Sequence, residues 1–96
     1  MLQLLQHWLH AGPPVLDAPP TYWQLRRYCR WQARALRRVA RAARGDAARQ
    51  AQAYAQAAWA EDVLRHHPLL DDLQRTMEQS ADLLSALSAD KITVSP

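Results

Sequence analysis

The chain has 96 residues, with 12 Lys and Arg against 9 Asp and Glu and a formal net charge of +3. A chain of this length forms one domain with one modest core, because it buries only about two-thirds of its unfolded surface. That size argues against a deep, dry catalytic cleft. The single cysteine excludes an intramolecular disulfide and is typical of a reducing compartment.

The charge is divided unevenly along the chain. Residues 21–50 carry nine arginines against one aspartate, which gives +8, whereas residues 51–96 carry three cations against seven acids, which gives −4. Asp17 adds −1 in residues 1–20, and the three parts sum to +3. Such a chain can pair one half with the other, within a subunit or between two, so its basic character alone is weak evidence for nucleic acid.

The first twenty residues divide into a short helix and a connector. Apolar residues share one side of residues 2–11, which predicts a short amphipathic helix. Gly12 and two prolines then stop it. Residues 12–20, with the sequence GPPVLDAPP, predict a stiff Pro-rich connector. We see no signal peptide and no run of 18 apolar residues, so we expect a cytoplasmic protein without a membrane span.

Residues 21–44 predict a long basic helix. Thr21 followed by Gln24 forms a capping box at its start. One side carries an apolar seam of the kind that packs against other helices: Tyr22, Leu25, Cys29, Gln32, Leu36, Val39 and Ala43. Gly45 and Asp46 predict a helix end and a new N-cap. The alternative, a helix continuous through Gly45, would cost about 1 kcal/mol relative to alanine.

Two further helices follow. Residues 47–66 are rich in alanine, which favours helix over strand despite an alternating Ala/Gln stretch, and small residues permit close packing. Pro68 predicts the first position of a helix over residues 68–88, which is amphipathic and acidic. Residues 89–96 predict a flexible tail. The expected fold is all-α: three main antiparallel helices in a small bundle, plus the short N-terminal helix.

The basic helix carries its arginines on one side. At about 100° per residue, eight arginines fall within an arc of roughly 120°. We call this set the arginine ridge: Arg26, Arg27, Arg30, Arg34, Arg37, Arg38, Arg41 and Arg44. Arginines four positions apart repel each other by a few tenths of a kcal/mol, so an isolated helix gains nothing from the arrangement.

Two tryptophans accompany the arginine ridge. Seen down the helix axis, Trp23 falls near the middle of the arc that the arginines span, and Trp31 falls at its margin. Indole rings in these positions can stack on guanidinium groups. Exposed Trp and Arg together are typical of protein–protein hot spots. A solvated surface and a phosphate-binding surface remain open as alternatives. The predicted partner-binding residues are Trp23, Arg26, Arg27, Arg30, Trp31, Arg34, Arg37, Arg38 and Arg41.

Nucleic-acid binding is the strongest competing interpretation. Two helices joined by a Gly-containing turn loosely resemble a helix-turn-helix, and arginine is the commonest reader of bases. However, the second helix offers few candidate readers near its start, and the positive charge lies on the first helix. Membrane association through the basic helix is weaker, because its apolar seam is better explained as core.

Other chemistry finds no support in the sequence. There is no phosphate loop, nucleophile elbow or HExxH motif, so we expect no enzymatic activity. His7 with His10, and His66 with His67, lack further ligands at suitable spacing, so we expect no metal and no cofactor. Cys29 falls on the apolar seam and is predicted to be a core residue.

The sequence therefore predicts a non-enzymatic protein–protein interaction module, a small bacterial-type regulator or adaptor that inhibits or escorts a partner. The partner is expected to present an acidic surface. Three apolar seams exceed what one three-helix core normally uses, which predicts a homodimer or an obligate complex. The alternatives are a dimeric nucleic-acid-binding regulator that uses the basic helix and a structural subunit of a larger assembly.

Overall fold

The protein is a bundle of three helices. The computed structural model describes the backbone of residues 12–93 and the side chains of residues 12–88. Its helices are α1 (Tyr22–Ala42), α2 (Ala47–Arg65) and α3 (Leu70–Thr93), and the described residues contain no strand. The predicted all-α fold with three main helices is confirmed at this level. The predicted helix at residues 2–11 lies outside the described residues.

Helix α1 begins with the predicted capping box. Thr21 Oγ1 accepts a hydrogen bond from the Gln24 N–H at 3.2 Å, and Gln24 Oε1 accepts one from the Thr21 N–H at 3.0 Å. Gln24 Nε2 also donates to Asp17 Oδ2 at 2.9 Å. This contact attaches the connector to the start of α1. The capping box itself satisfies backbone N–H groups that have no partner inside the helix.

The turn between α1 and α2 contains the predicted break. Helix α1 ends at Ala42, two residues before the predicted end, and the Ala43 N–H is bonded to the carbonyl of Val39 at 3.0 Å. Gly45 has a φ of 89°, a left-handed conformation that glycine adopts without strain. Asp46 then caps α2, because its carboxylate accepts a hydrogen bond from the Arg49 N–H at 3.1 Å.

The second turn differs from the prediction. Pro68 does not begin α3, because the helix starts at Leu70 and Pro68 lies in the preceding turn. The Leu69 N–H donates to Asp72 Oδ2 at 3.0 Å, so a carboxylate inside the first turn satisfies this exposed helix end. At the other end, α3 continues to Thr93, whereas the sequence predicts a flexible tail from residue 89.

The helices run up, down and up. Helix α1 is antiparallel to α2, because the Tyr22 hydroxyl donates to the Pro68 carbonyl at 2.8 Å at one end and Gln50 Nε2 donates to the Ala40 carbonyl at 2.8 Å at the other. Helix α3 runs parallel to α1. Each helix packs against the other two, and α1 makes the most extensive contacts.

The core has two apolar clusters, one toward each end of the bundle. The first cluster contains the buried residues Leu36, Ala40, Ala53, Ala57 and Leu87. The second contains Leu25, Cys29, Leu64 and Leu73. Alanines supply the α2 side of the first cluster, which lets the backbones approach closely. The face of α1 that the sequence predicts to be apolar is the buried one, so the arginine ridge points away from the core.

A polar layer separates the two clusters. Gln32 is 1% exposed and Ser80 is fully buried. Gln32 Nε2 donates to the Met77 carbonyl at 3.0 Å, and Gln56 Nε2 donates to Ser80 Oγ at 3.1 Å. Gln32 Oε1 is buried without a hydrogen-bond partner among the described residues. A buried polar atom without a partner costs roughly 1–3 kcal/mol.

Candidate binding surface

The exposed part of the arginine ridge forms a straight row along α1. Five of its members are exposed and form no hydrogen bond or ion pair with any described residue: Arg27, Arg30, Arg34, Arg38 and Arg41. At 1.5 Å per residue the row is about 21 Å long. Arg44 is also exposed, but it lies in the turn after α1. This row is a continuous strip of positive charge that the described part of the bundle does not neutralise.

Arg26 is turned toward α2 and held in place. Its Nη2 donates to the Leu64 carbonyl at 2.9 Å, and its Nη1 donates to the Tyr22 hydroxyl at 3.4 Å. The guanidinium carbon lies 5.8 Å from the centre of the Tyr22 ring and 5.7 Å from that of Trp23. Both distances permit cation–π attraction. Arg26 thus caps the carboxyl end of α2, where free carbonyls favour a cation.

Arg37 is also committed to α2. Its Nε and Nη2 donate to the two carboxylate oxygens of Glu61 at 2.9 and 2.6 Å. This two-point contact matches the planar fork of a guanidinium to a carboxylate. Arg37 lowers the pKa of Glu61 from its ordinary value of 4.5, and Glu61 raises the pKa of Arg37 further. Arg26 and Arg37 are therefore structural members of the ridge in the monomer.

The two tryptophans of the predicted site differ in exposure. Trp23 is 70% exposed beside the row of free arginines, and its ring meets that of Tyr22 edge-on at a centroid distance of 5.3 Å. Trp31 is half-buried and lies 5.7 Å from the Tyr28 ring. It lines a concavity of about 270 Å³ between α1 and α3. The structure therefore brings Trp23 onto the charged row and places Trp31 at its edge.

Two residues of α2 at this surface are missing from the sequence prediction. Glu61 pairs with Arg37, and Arg65 is close enough to Glu61 to contribute to its lowered pKa. Their spacing of four positions predicts that they share a face of α2. The sequence gives no signal that this face adjoins the arginine ridge, because the docking of α2 onto α1 depends on contacts 24 to 38 positions apart.

A second concavity, between α2 and α3, is chemically mixed. It has a volume of about 560 Å³, and its lining includes Trp59, His66, Asp72 and Arg75. The Asp72 carboxylate already accepts a hydrogen bond from a backbone N–H. His66 Nδ1 lies 2.8 Å from the Asp62 carbonyl at the carboxyl end of α2. Neither sign of charge dominates here, so the concavity defines no ligand class.

Cys29 is buried as predicted. The thiol is fully buried and lies 3.6 Å from the Leu73 carbonyl, to which it can donate. Burial raises its pKa to about 11, against an opposing effect of the nearby Arg26. A thiol with this pKa carries almost no thiolate at neutral pH, so the position is unsuited to nucleophilic chemistry.

The described residues hold no group of three or more His, Cys, Asp or Glu side chains that could bind a metal ion. Among the described helices, none has a stretch both long and apolar enough to cross a bilayer. What the surface offers chemically is a strip of guanidinium groups with an exposed indole beside it. No protein-family model, curated protein or solved structure matches the chain.

Proposed function

We propose that the protein is a non-enzymatic interaction module, a small regulator or adaptor that binds a partner protein through α1. The partner presents an acidic surface, and binding inhibits or escorts it. One observation carries the proposal: the exposed row Arg27, Arg30, Arg34, Arg38 and Arg41 has no counter-charge among the described residues. Five like charges on one helix face favour an opposite charge from outside the bundle.

The aromatic residues beside the row support a protein partner. Trp23 presents most of its indole to solvent, next to Arg27 and Arg30 on the helix surface. Trp and Arg are enriched at the energetic centres of protein interfaces, because each combines a large apolar area with specific polar contacts. A partner that covers Trp23 would also shield the neighbouring arginines from water and strengthen their pairing with its carboxylates.

The contacts of α2 argue against the helix-turn-helix alternative. In that arrangement residues at the start of α2 would read bases. Gln50 instead donates to the Ala40 carbonyl at 2.8 Å, and the Arg49 Nε lies 3.6 Å from Asp46. Both polar side chains are engaged within the bundle. These contacts weigh against base reading by Arg49 and Gln50 at the start of α2.

We include a homodimer in the proposal. Large apolar side chains remain exposed on the isolated bundle, among them Trp59 at 54% and Leu69 at 73%. Helix α3 also presents exposed carboxylates at Asp71, Glu78 and Asp82. A second copy could cover apolar surface and offer these carboxylates to an arginine row. A cytoplasmic location remains part of the proposal on the basis of the single cysteine.

Affinity purification from native lysate tests the function. Arg34→Ala/Arg38→Ala removes two positive charges from the centre of the exposed row. Arg75→Glu makes the same change in net charge on α3, away from the row, and is the matched control. We expect a protein that is recovered with wild type and with Arg75→Glu but is lost with the double variant. Identical recovery with all three proteins would refute the ridge as the interface.

Two measurements separate the alternatives. Duplex DNA is titrated at two salt concentrations, because binding through phosphates weakens linearly with the logarithm of salt concentration. Tight, salt-sensitive DNA binding that requires Arg34 and Arg38 would replace the protein-binding proposal with the nucleic-acid alternative. Light scattering gives the mass of the purified protein, and a monomer at all concentrations would remove the homodimer.

A further inference from the structure

A concavity lies between α1 and α2 on the flank of the arginine ridge. Its volume is about 410 Å³, and five residues line it: Arg26, Arg30, Glu61, Leu64 and Arg65. Three of the five are arginines, contributed by two helices. We call it the arginine pocket. It shares Arg30 with the exposed row, but Arg27, Arg34, Arg38 and Arg41 do not line it.

The arginine pocket has an excess of positive charge. Glu61 is its one acidic residue, and the two-point pairing with Arg37 already neutralises that carboxylate. Arg37 itself stands outside the lining. Arg26, Arg30 and Arg65 therefore leave three uncompensated charges around one concavity. Arginine stays protonated at any pH at which the protein is folded, so this excess is permanent.

The guanidinium groups are partly preorganised. Arg26 is fixed by the Leu64 carbonyl and by the Tyr22 and Trp23 rings, and its remaining N–H groups are available to a ligand. Arg30 makes no hydrogen bond to a described residue, and Arg65 makes neither a hydrogen bond nor an ion pair with one. A ligand would thus meet one fixed donor group and two adjustable ones, which reduces the cost of ordering the site.

We propose that the arginine pocket binds a doubly charged oxyanion, a phosphate group. A phosphate monoester carries about two negative charges and three acceptor oxygens, and planar guanidinium groups pair with it through parallel hydrogen bonds. A single carboxylate carries only one charge and cannot satisfy three guanidinium groups. The phosphate comes from free phosphate or from a phosphorylated small molecule. The proposal does not depend on whether the exposed row binds a protein.

The test uses the full chain and inorganic phosphate at pH 7.5 and constant ionic strength. Phosphate is titrated while NMR follows the arginine Nε–H signals, with acetate as the singly charged comparison. We expect saturable shifts concentrated on Arg26, Arg30 and Arg65. We expect acetate to bind at least about tenfold more weakly than phosphate. Phosphoserine, as the free amino acid, is titrated in the same way. Tighter binding of phosphoserine than of inorganic phosphate would identify a phosphorylated small molecule as the ligand, and the reverse would identify free phosphate.

Matched variants make the test specific. Arg30→Gln/Arg65→Gln removes two charges from the arginine pocket, of which Arg30 also belongs to the exposed row. Arg34→Gln/Arg38→Gln removes two charges from the part of the row that does not line the pocket. We expect the first pair to weaken phosphate binding at least about tenfold and the second less than about twofold. Circular dichroism confirms that both variants remain helical. Equal weakening by the two pairs, non-saturable shifts along the whole of α1, or equal affinity for acetate would each overturn the proposal.

Discussion

Arg37 and Glu61 connect α1 and α2 through two parallel hydrogen bonds, at 2.9 and 2.6 Å. The pair lies at the surface, with about a third of each side chain exposed, so water screens part of the attraction. Its geometry matters more than its strength. The pairing keeps Arg37 out of the exposed row, and it neutralises Glu61, the one carboxylate of the neighbouring arginine pocket.

The Arg37–Glu61 pair makes stability depend on acid pH. Because the folded-state pKa of Glu61 is lowered below 4.5, the carboxylate stabilises the fold above that value. This contribution is lost as the pH falls through the folded-state pKa. We expect Glu61→Gln to be less stable than wild type at pH 7 and the difference to shrink toward zero at acid pH. Urea unfolding at pH 7 and at pH 3 measures it.

A matched variant checks that prediction. Glu78 is exposed on α3 and forms no ion pair with a described residue. Glu78→Gln removes the same charge and should leave stability at pH 7 within about 0.5 kcal/mol of wild type. If both variants lose the same stability, with the same pH dependence, the specific role of Arg37 is contradicted.

The buried alanines of α2 are expected to tolerate no enlargement. Ala57 is fully buried in the first apolar cluster, where α2 lies close to α1. Ala57→Leu adds three carbons to a filled space and should cost about 1–3 kcal/mol of unfolding free energy. Its neighbour Ala58 is exposed, so Ala58→Leu should change stability by less than about 0.5 kcal/mol. Thermal or urea unfolding compares the two variants, and equal effects would contradict the close packing of α2 against α1 at Ala57.

Gln32 should be replaceable without loss of stability. Its Oε1 is buried without a partner among the described residues, whereas its Nε2 donates to the Met77 carbonyl. In wild type the unpartnered oxygen costs about 1–3 kcal/mol of stability, and Gln32→Met removes that cost. The same substitution loses one hydrogen bond worth about 0.5–1.5 kcal/mol. We expect a variant as stable as wild type or up to about 2 kcal/mol more stable in urea unfolding. A loss above about 1 kcal/mol would show that Oε1 is well satisfied.

Cys29 should react slowly with thiol reagents. With a pKa of about 11 in place of 9.0, the thiolate fraction at pH 8 falls about a hundredfold. Burial of the sulfur slows access further. Labelling with a disulfide reagent at pH 8 should therefore be at least about a hundredfold slower in the folded protein than in the same protein unfolded in urea. Comparable rates in the two states would contradict a core position.

The helix ends illustrate how much the sequence can predict. Thr21 with Gln24, and Gly45 with Asp46, are local signals, because each side chain acts on backbone groups within three residues. Both predictions match the structure. Pro68 shows the limit of the same reasoning, because α3 begins two residues later than predicted, where the Asp72 carboxylate accepts a hydrogen bond from the Leu69 N–H.

The arginine ridge shows what local reasoning leaves undetermined. Periodicity places eight arginines on one side of α1, but it treats them as equivalent. The structure separates Arg26 and Arg37 from the rest, because Leu64 and Glu61 lie within reach on α2. That distinction depends on how two helices dock, and no residue within α1 encodes it. Whether the exposed members bind a protein stays a prediction.

The polar layer between the two apolar clusters has a consequence for how the helices align. A slip of α3 by one helical turn would move Ser80 about 5 Å along the bundle, away from the Gln56 amide on α2. The part-buried Gln56 amide would then lose its hydrogen bond to the Ser80 hydroxyl, which costs free energy. The polar layer therefore raises the free energy of misaligned packings. It lowers the stability of the native bundle somewhat, but it favours a single alignment of the three helices.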